Sequence, residues 1–143
     1  MQQLQLGLLL VAMGPWLACG PSEGEYFRRV TELSGPNAAD CGRVPVKGDL
    51  SGALACMERQ FAGNQPFRVS VETYGLESIL TFSVVRTPKG EVLAVVRDPD
   101  TCGGNCWVEK ARIWVGPCAV PRVAFDPDGS YARDPIRCDS PDA

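Results

Sequence analysis

Histidine is absent from this chain, and that absence removes a good deal of chemistry. No Ser-His-Asp or Cys-His nucleophile pair can be assembled, and no zinc or haem site that uses imidazole. Long apolar runs are also missing. The longest, Leu4 to Ala18, is broken by Gly14 and Pro15 and falls short of the about 20 apolar residues a bilayer-spanning helix needs. Lysine is scarce beside arginine, the basic residues are scattered and the formal net charge is −3, so there is no polyelectrolyte footprint for nucleic acid. Carboxylates remain as candidate acid-base pairs, as in glycoside hydrolysis. With 17 Asp and Glu residues and no motif around any of them, composition singles out no pair.

What is present begins at the N-terminus. The apolar run has the length of a signal-peptide h-region and ends in Trp16-Leu17-Ala18-Cys19-Gly20, a small residue followed directly by cysteine. This segment resembles the precursor of a bacterial lipoprotein, whose lipobox ends in a small residue and then the cysteine that becomes diacylated. It departs from the usual pattern at Trp16, where Leu, Val or Ile is customary, and in an n-region, Met1-Gln2-Gln3, without Lys or Arg. The other readings are an ordinary secretory signal cut near Ala18 or Gly20, and an uncleaved anchor or cytosolic start. The resemblance implies cleavage after residue 18, a lipid on Cys19 and a membrane anchor in which each buried CH₂ contributes roughly 0.8 kcal/mol. Gly20 in place of Asp implies sorting to the outer membrane, facing the periplasm or the cell surface. Parity agrees: of seven cysteines, lipidation of Cys19 leaves six, an even number for an oxidising compartment.

The expected organisation is a signal peptide over 1–18, a lipidated cysteine and tether over 19–25, an α+β domain over 26–116 and a Pro-rich tail over 117–143. Ser22 and Glu25 fit a capping box, and Tyr26, Phe27, Val30 and Leu33 recur at helical spacing until Ser34-Gly35-Pro36. Cys41 to Val46 is extended in character because Val44 precedes a proline. Asp49 or Ser51 caps the main helix, with Leu50, Leu54, Met57 and Phe61 on one stripe and Gly63-Asn64 at its end. Cys56 lies off that stripe, and the Cys41 segment is the nearest cover for it.

From Pro66 the period changes to two. Phe67, Val69 and Val71 alternate with Arg68, Ser70 and Glu72, then Leu80, Phe82 and Val84 with Ile79, Thr81 and Ser83. Val92 to Val96 follows through the turn Thr87-Pro88-Lys89-Gly90, and Trp107 to Val115 makes a fourth run. One main helix packed on one face of an antiparallel four-stranded meander is the expected α+β fold, with disulfide staples and an irregular tail in which only Val120 to Phe125 suits a strand. The order is similar to that of cystatin-like folds, without their binding motifs. The whole resembles small Cys-rich lipoproteins of Gram-negative bacteria, a likeness that transfers no active-site residues.

Six cysteines allow fifteen connectivities. With Trp107 to Val115 extended, Cys106 and Cys118 stand on the order of 40 Å apart, whereas bridged Cα atoms lie within about 7 Å. The simplest surviving set is Cys41 with Cys56, Cys102 with Cys106 and Cys118 with Cys138; its main competitor sends Cys102 or Cys106 to Cys138. The segment Cys102-Gly103-Gly104-Asn105-Cys106 has three residues between its cysteines, not the two of a thioredoxin-type redox pair, and reads as a staple. Asp98-Pro99-Asp100 and Asp126-Pro127-Asp128-Gly129 lack EF-hand spacing and read as turns. No motif asks for a cofactor or a metal.

Alternation along the fourth run puts Lys110, Arg112 and Trp114 on one side and Ala111, Ile113 and Val115 on the other. Either the tryptophan, with two cations on the same side of its strand, is a binding anchor on an open sheet face, or the tail covers it. The expected function is a non-enzymatic, lipid-anchored envelope protein that binds a protein or polymer partner. A protease inhibitor presenting the stapled 102–106 loop is the alternative, and a carboxylate-dependent hydrolase the remaining one.

Overall fold

Ser22 opens the first helix, its hydroxyl accepting from the Glu25 N–H at 3.1 Å, so one half of the expected capping box forms. A computed structural model describes residues 22–75, 78–99 and 112–139. Helix α1 runs Glu23–Ser34 and stops at Gly35, whose φ of 82° suits glycine and whose missing side chain admits the Pro88 ring. Residues 23–25, expected as tether, are thus already helical. Strand β1 (Ala39–Val44) leads into α2 (Ser51–Ala62). The cap position of α2 is Leu50 instead of the expected Asp49 or Ser51 and has no side-chain cap bond; Asp49, one residue earlier, accepts from the Ser51 N–H at 2.9 Å and the Ser51 hydroxyl at 2.7 Å. Those bonds hold the Asp49 carboxyl below its usual range.

Strands β2 (Phe67–Tyr74), β3 (Ile79–Arg86), β4 (Val92–Asp98) and β5 (Arg112–Pro117) are consecutive antiparallel neighbours, as the period-two pattern predicts. The sheet gains a fifth strand at the other edge: β1 pairs parallel with β2 after the crossover through α2. The four-stranded expectation missed it because six residues carrying Asp40, Gly42 and Arg43 show no clean alternation. One helix over one open face is also corrected. Phe67, Val69, Val71, Val84 and Ala94 form the main core with Ala53, Leu54 and Met57 of α2, whereas Val85 and Val95 on the opposite face pack with Tyr26 and Val30 of α1. Helices therefore cover both faces.

The tail is corrected too. Instead of being irregular, it forms a hairpin of β6 (Val120–Phe125) and β7 (Tyr131–Asp139) around the Asp126-Pro127-Asp128-Gly129 turn. Pro135 argued against a strand because it cannot donate to a ladder. Here it falls where the register shifts, between the Val123–Ile136 and Phe125–Tyr131 pairs, and costs the ladder little. Cys118 and Ile136 bring the hairpin into the main core on the α2 face, and Thr73 donates to the Arg133 carbonyl at 2.8 Å.

Two disulfides join these parts. Cys41–Cys56 ties β1 to α2 with Cα atoms 5.4 Å apart, covering the flank of the helix that the apolar stripe leaves bare. Cys118–Cys138 closes the base of the hairpin at 4.7 Å. Cys138 is thereby committed, which removes the competing connectivities. Among the described residues no helix is long and apolar enough to cross a membrane.

Candidate functional site

Strand β5 is the edge of the sheet next to β4. Its hydrogen-bond phase follows from one contact: the Cys118 N–H donates to the Val92 carbonyl at 2.9 Å. Narrow pairs alternate along an antiparallel ladder, so Gly116, Trp114 and Arg112, opposite Ala94, Val96 and Asp98, direct their backbone groups at β4. Ile113 and Val115 direct theirs away from the sheet. Side chains alternate the other way. Ile113 packs toward α1 with Leu93, while Arg112 and Trp114 stand on the α2 face.

The expected split of Arg112 and Trp114 from Ile113 and Val115 is therefore present, but the tryptophan is exposed for a different reason. Its face is not open. It lies on the outermost strand, at the margin of the area that α2 and the hairpin cover, and the tail leaves it 56% exposed. Its indole lies over Gly116, where an added Cβ would run into the ring. Val115 beside it is 37% exposed. Arg112 makes no ion pair among the described residues. A shallow groove between β5 and α1 is floored by Ile113 and Val115 and walled by Glu25, Arg28, Arg29 and Glu32. Cys19, Cys102, Cys106 and Lys110 lie outside the described residues, and with them the lipidation site and the stapled loop of the inhibitor reading.

Two arrangements escaped the sequence reading. At the opposite edge, the Arg43 guanidinium stacks 4.4 Å above the Phe27 ring and forms ion pairs with Glu72 and Glu23. Hydrogen bonding and charge from Arg43 hold the exposed Glu23 carboxyl below its usual range. Nearby, Arg68 reaches Asp40 at 2.8 Å. Under α1, the fully buried Tyr26 hydroxyl lies 2.6 Å from Ser83 Oγ and 2.8 Å from the Val95 carbonyl, and Ser83 Oγ lies 2.6 Å from Ser70 Oγ. One proton direction satisfies every member: Ser70 donates to Ser83, Ser83 to Tyr26, and Tyr26 to Val95. Burial raises the Tyr26 phenol to about 12. Sequence placed Tyr26 on an apolar stripe and both serines on the polar side of their strands; nothing in the pattern announced that a helix would lie on that side.

Comparison with known proteins adds no relative: no family model, no curated protein and no solved structure matches the chain.

Proposed function

We propose that this protein is a non-enzymatic, lipid-anchored module of the cell envelope that binds a partner along the β5 edge, with Trp114 as the anchor. The observation that carries the reading is a half-exposed tryptophan beside an arginine that makes no ion pair among the described residues, on a strand with outward-facing backbone groups. Exposed Trp and Arg are the residues that most often dominate binding energy, and backbone groups at a sheet edge are ready donors and acceptors for an added strand. The anchor rests on Ala18-Cys19 and the apolar run before it. Two disulfides among the described residues suit the oxidising compartment to which such a signal leads.

The test has two arms. In a Gram-negative host fed labelled palmitate, the wild-type chain should carry label and fractionate with membranes, and Cys19→Ala should lose both; an unlabelled wild-type chain removes the anchor. A photo-crosslinking residue at position 112 should yield an adduct in the intact envelope that Trp114→Ala suppresses, whereas one at Lys89, in the β3–β4 turn, should not. Equal adducts with and without Trp114 would remove the binding site.

A further inference from the structure

The partner that fits the β5 edge is a second copy of this chain. We infer that two molecules pair β5 to β5 antiparallel about a two-fold axis through Trp114, an inference that rests on the reading of this edge as the binding surface.

The two edges of the sheet are treated differently. Strand β1 is broken by a register shift between Asp40 and Arg43, both of which are held in ion pairs, and Pro45 follows it. Bulges, charges and prolines are the usual devices that stop a strand edge from recruiting another chain. Strand β5 has an unshifted register along its whole length and no charge at its centre, Ile113-Trp114-Val115. Among the described residues nothing pairs with its outer side.

The pattern around Trp114 is self-complementary. With Trp114 opposite its own counterpart, Ile113 of each copy faces Val115 of the other. These are the residues whose N–H and C=O groups point outward, so both become narrow hydrogen-bonded pairs and every outward group of Ile113 and Val115 is satisfied. The tryptophans meet as a wide pair, whose side chains lie closest. Arg112 of one copy lands opposite Gly116 of the other, beside the indole that lies over that glycine, where a cation–π contact forms. On the other face the Ile113–Val115 floor continues across the axis. The α1 walls carry both charge signs, Glu25 and Glu32 with Arg28 and Arg29, which suits a copy of itself and offers no preference to a strongly acidic or basic partner. Because β1 is guarded, pairing stops at two chains and does not propagate into a filament.

The experiment measures association of the full chain, purified in detergent, by sedimentation over a range of concentrations, with hydrogen exchange at single amides. The expected result is a dimer in which the Ile113 and Val115 amides become protected as concentration rises. Val115→Pro should raise the dissociation constant at least tenfold while leaving the disulfides and circular dichroism unchanged, because the lost N–H points away from β4 and edge strands tolerate proline there. Trp114→Cys gives up the indole and weakens association, but at concentrations above its raised dissociation constant it should cross-link two chains, since wide pairs place Cα atoms about 4.5 Å apart, and Arg112→Cys under the same conditions should not. A monomer with rapidly exchanging Ile113 and Val115 amides overturns the second copy and leaves the edge free for another partner. A monomer with those amides protected means the chain covers its own edge, which overturns the binding reading as well. A dimer indifferent to Val115→Pro places the interface elsewhere and sinks the proposal.

Discussion

Replacing Tyr26 with phenylalanine isolates one polar group at the centre of the α1 interface. The ring keeps its place among Val30, Val85 and Val95, so the loss is confined to the hydroxyl. The Val95 and Thr81 carbonyls belong to paired strands and keep ladder partners. What is stranded is the end of the serine chain: with Ser70 donating to Ser83, the Ser83 proton has lost its acceptor in a fully buried site. An unsatisfied buried donor costs about 1–3 kcal/mol, and rotation of two hydroxyls recovers part of that. The expected loss is about 1–2 kcal/mol by urea unfolding, or a fall in Tm of roughly 4–10 °C for a domain of this size. Ser83→Ala should be non-additive with it, since both cut the same chain.

The same residue gives an alkaline signature. The phenol titrates near 10 when unfolded and at about 12 when folded, so between those values the unfolded chain releases a proton that the folded chain keeps. Stability from the buried neutral phenol is whole below pH about 10 and shrinks as pH rises toward 12, by at most about 2–3 kcal/mol. Tyr26→Phe should lack this component. Variants within about 0.5 kcal/mol of wild type, with superimposable alkaline curves, would refute the account of α1 as held by this network.

Other expectations follow from the staples, the Arg43 cluster and the indole shelf. Cys118→Ser with Cys138→Ser should cost about 2–4 kcal/mol in urea unfolding, and Cys41→Ser with Cys56→Ser about 3 kcal/mol. Arg43→Met should keep some stacking on Phe27 but leave the mostly buried Glu72 without its cation, costing about 1–3 kcal/mol by chemical unfolding. Glu23→Gln, at an exposed pair, should leave the urea midpoint almost unchanged, because solvent screens such pairs. Because Arg43 lowers the Glu23 carboxyl, the contribution of that pair is full above pH about 4.5 and fades as pH falls through the lowered value. Gly116→Ala should push the Trp114 indole into water and shift tryptophan emission to the red, with stability changed by about 1 kcal/mol or less.

Periodicity made the antiparallel part of this fold legible. Phe67, Val69 and Val71 lie on the core face as alternation requires, and Leu54 and Met57 are the buried stripe of α2. The parallel pairing of β1 was illegible because it depends on the crossover geometry of α2 rather than on a local pattern. Strand β7 was hidden by Pro135, whose penalty vanishes at a register shift. The open sheet face was the more consequential error: Ser70, Thr81 and Ser83 look like a solvent side, yet all three are buried under α1, where the Tyr26 hydroxyl meets Ser83, Ser83 meets Ser70, and the same phenol donates to the Thr81 carbonyl. Alternation separates faces; it does not say which of them is wet. At the candidate site, the split of Arg112 and Trp114 from Ile113 was readable from period two, whereas the edge position of β5 required the pairing order.

The placement of the disulfides has a mechanical consequence. Both described staples begin at or after Cys41, so α1 is joined to the body by contacts that force can peel away. Tension entering from the N-terminal side reaches α1 before it reaches any covalent link among the described residues. Tyr26, near the start of the helix, is the bolt that resists first. Once it slips, α1 unwinds while the stapled body keeps its shape. The bared strip of Ser70, Ser83, Val85 and Val95 is half polar and half aliphatic, a surface onto which the helix can settle again when the pull ends.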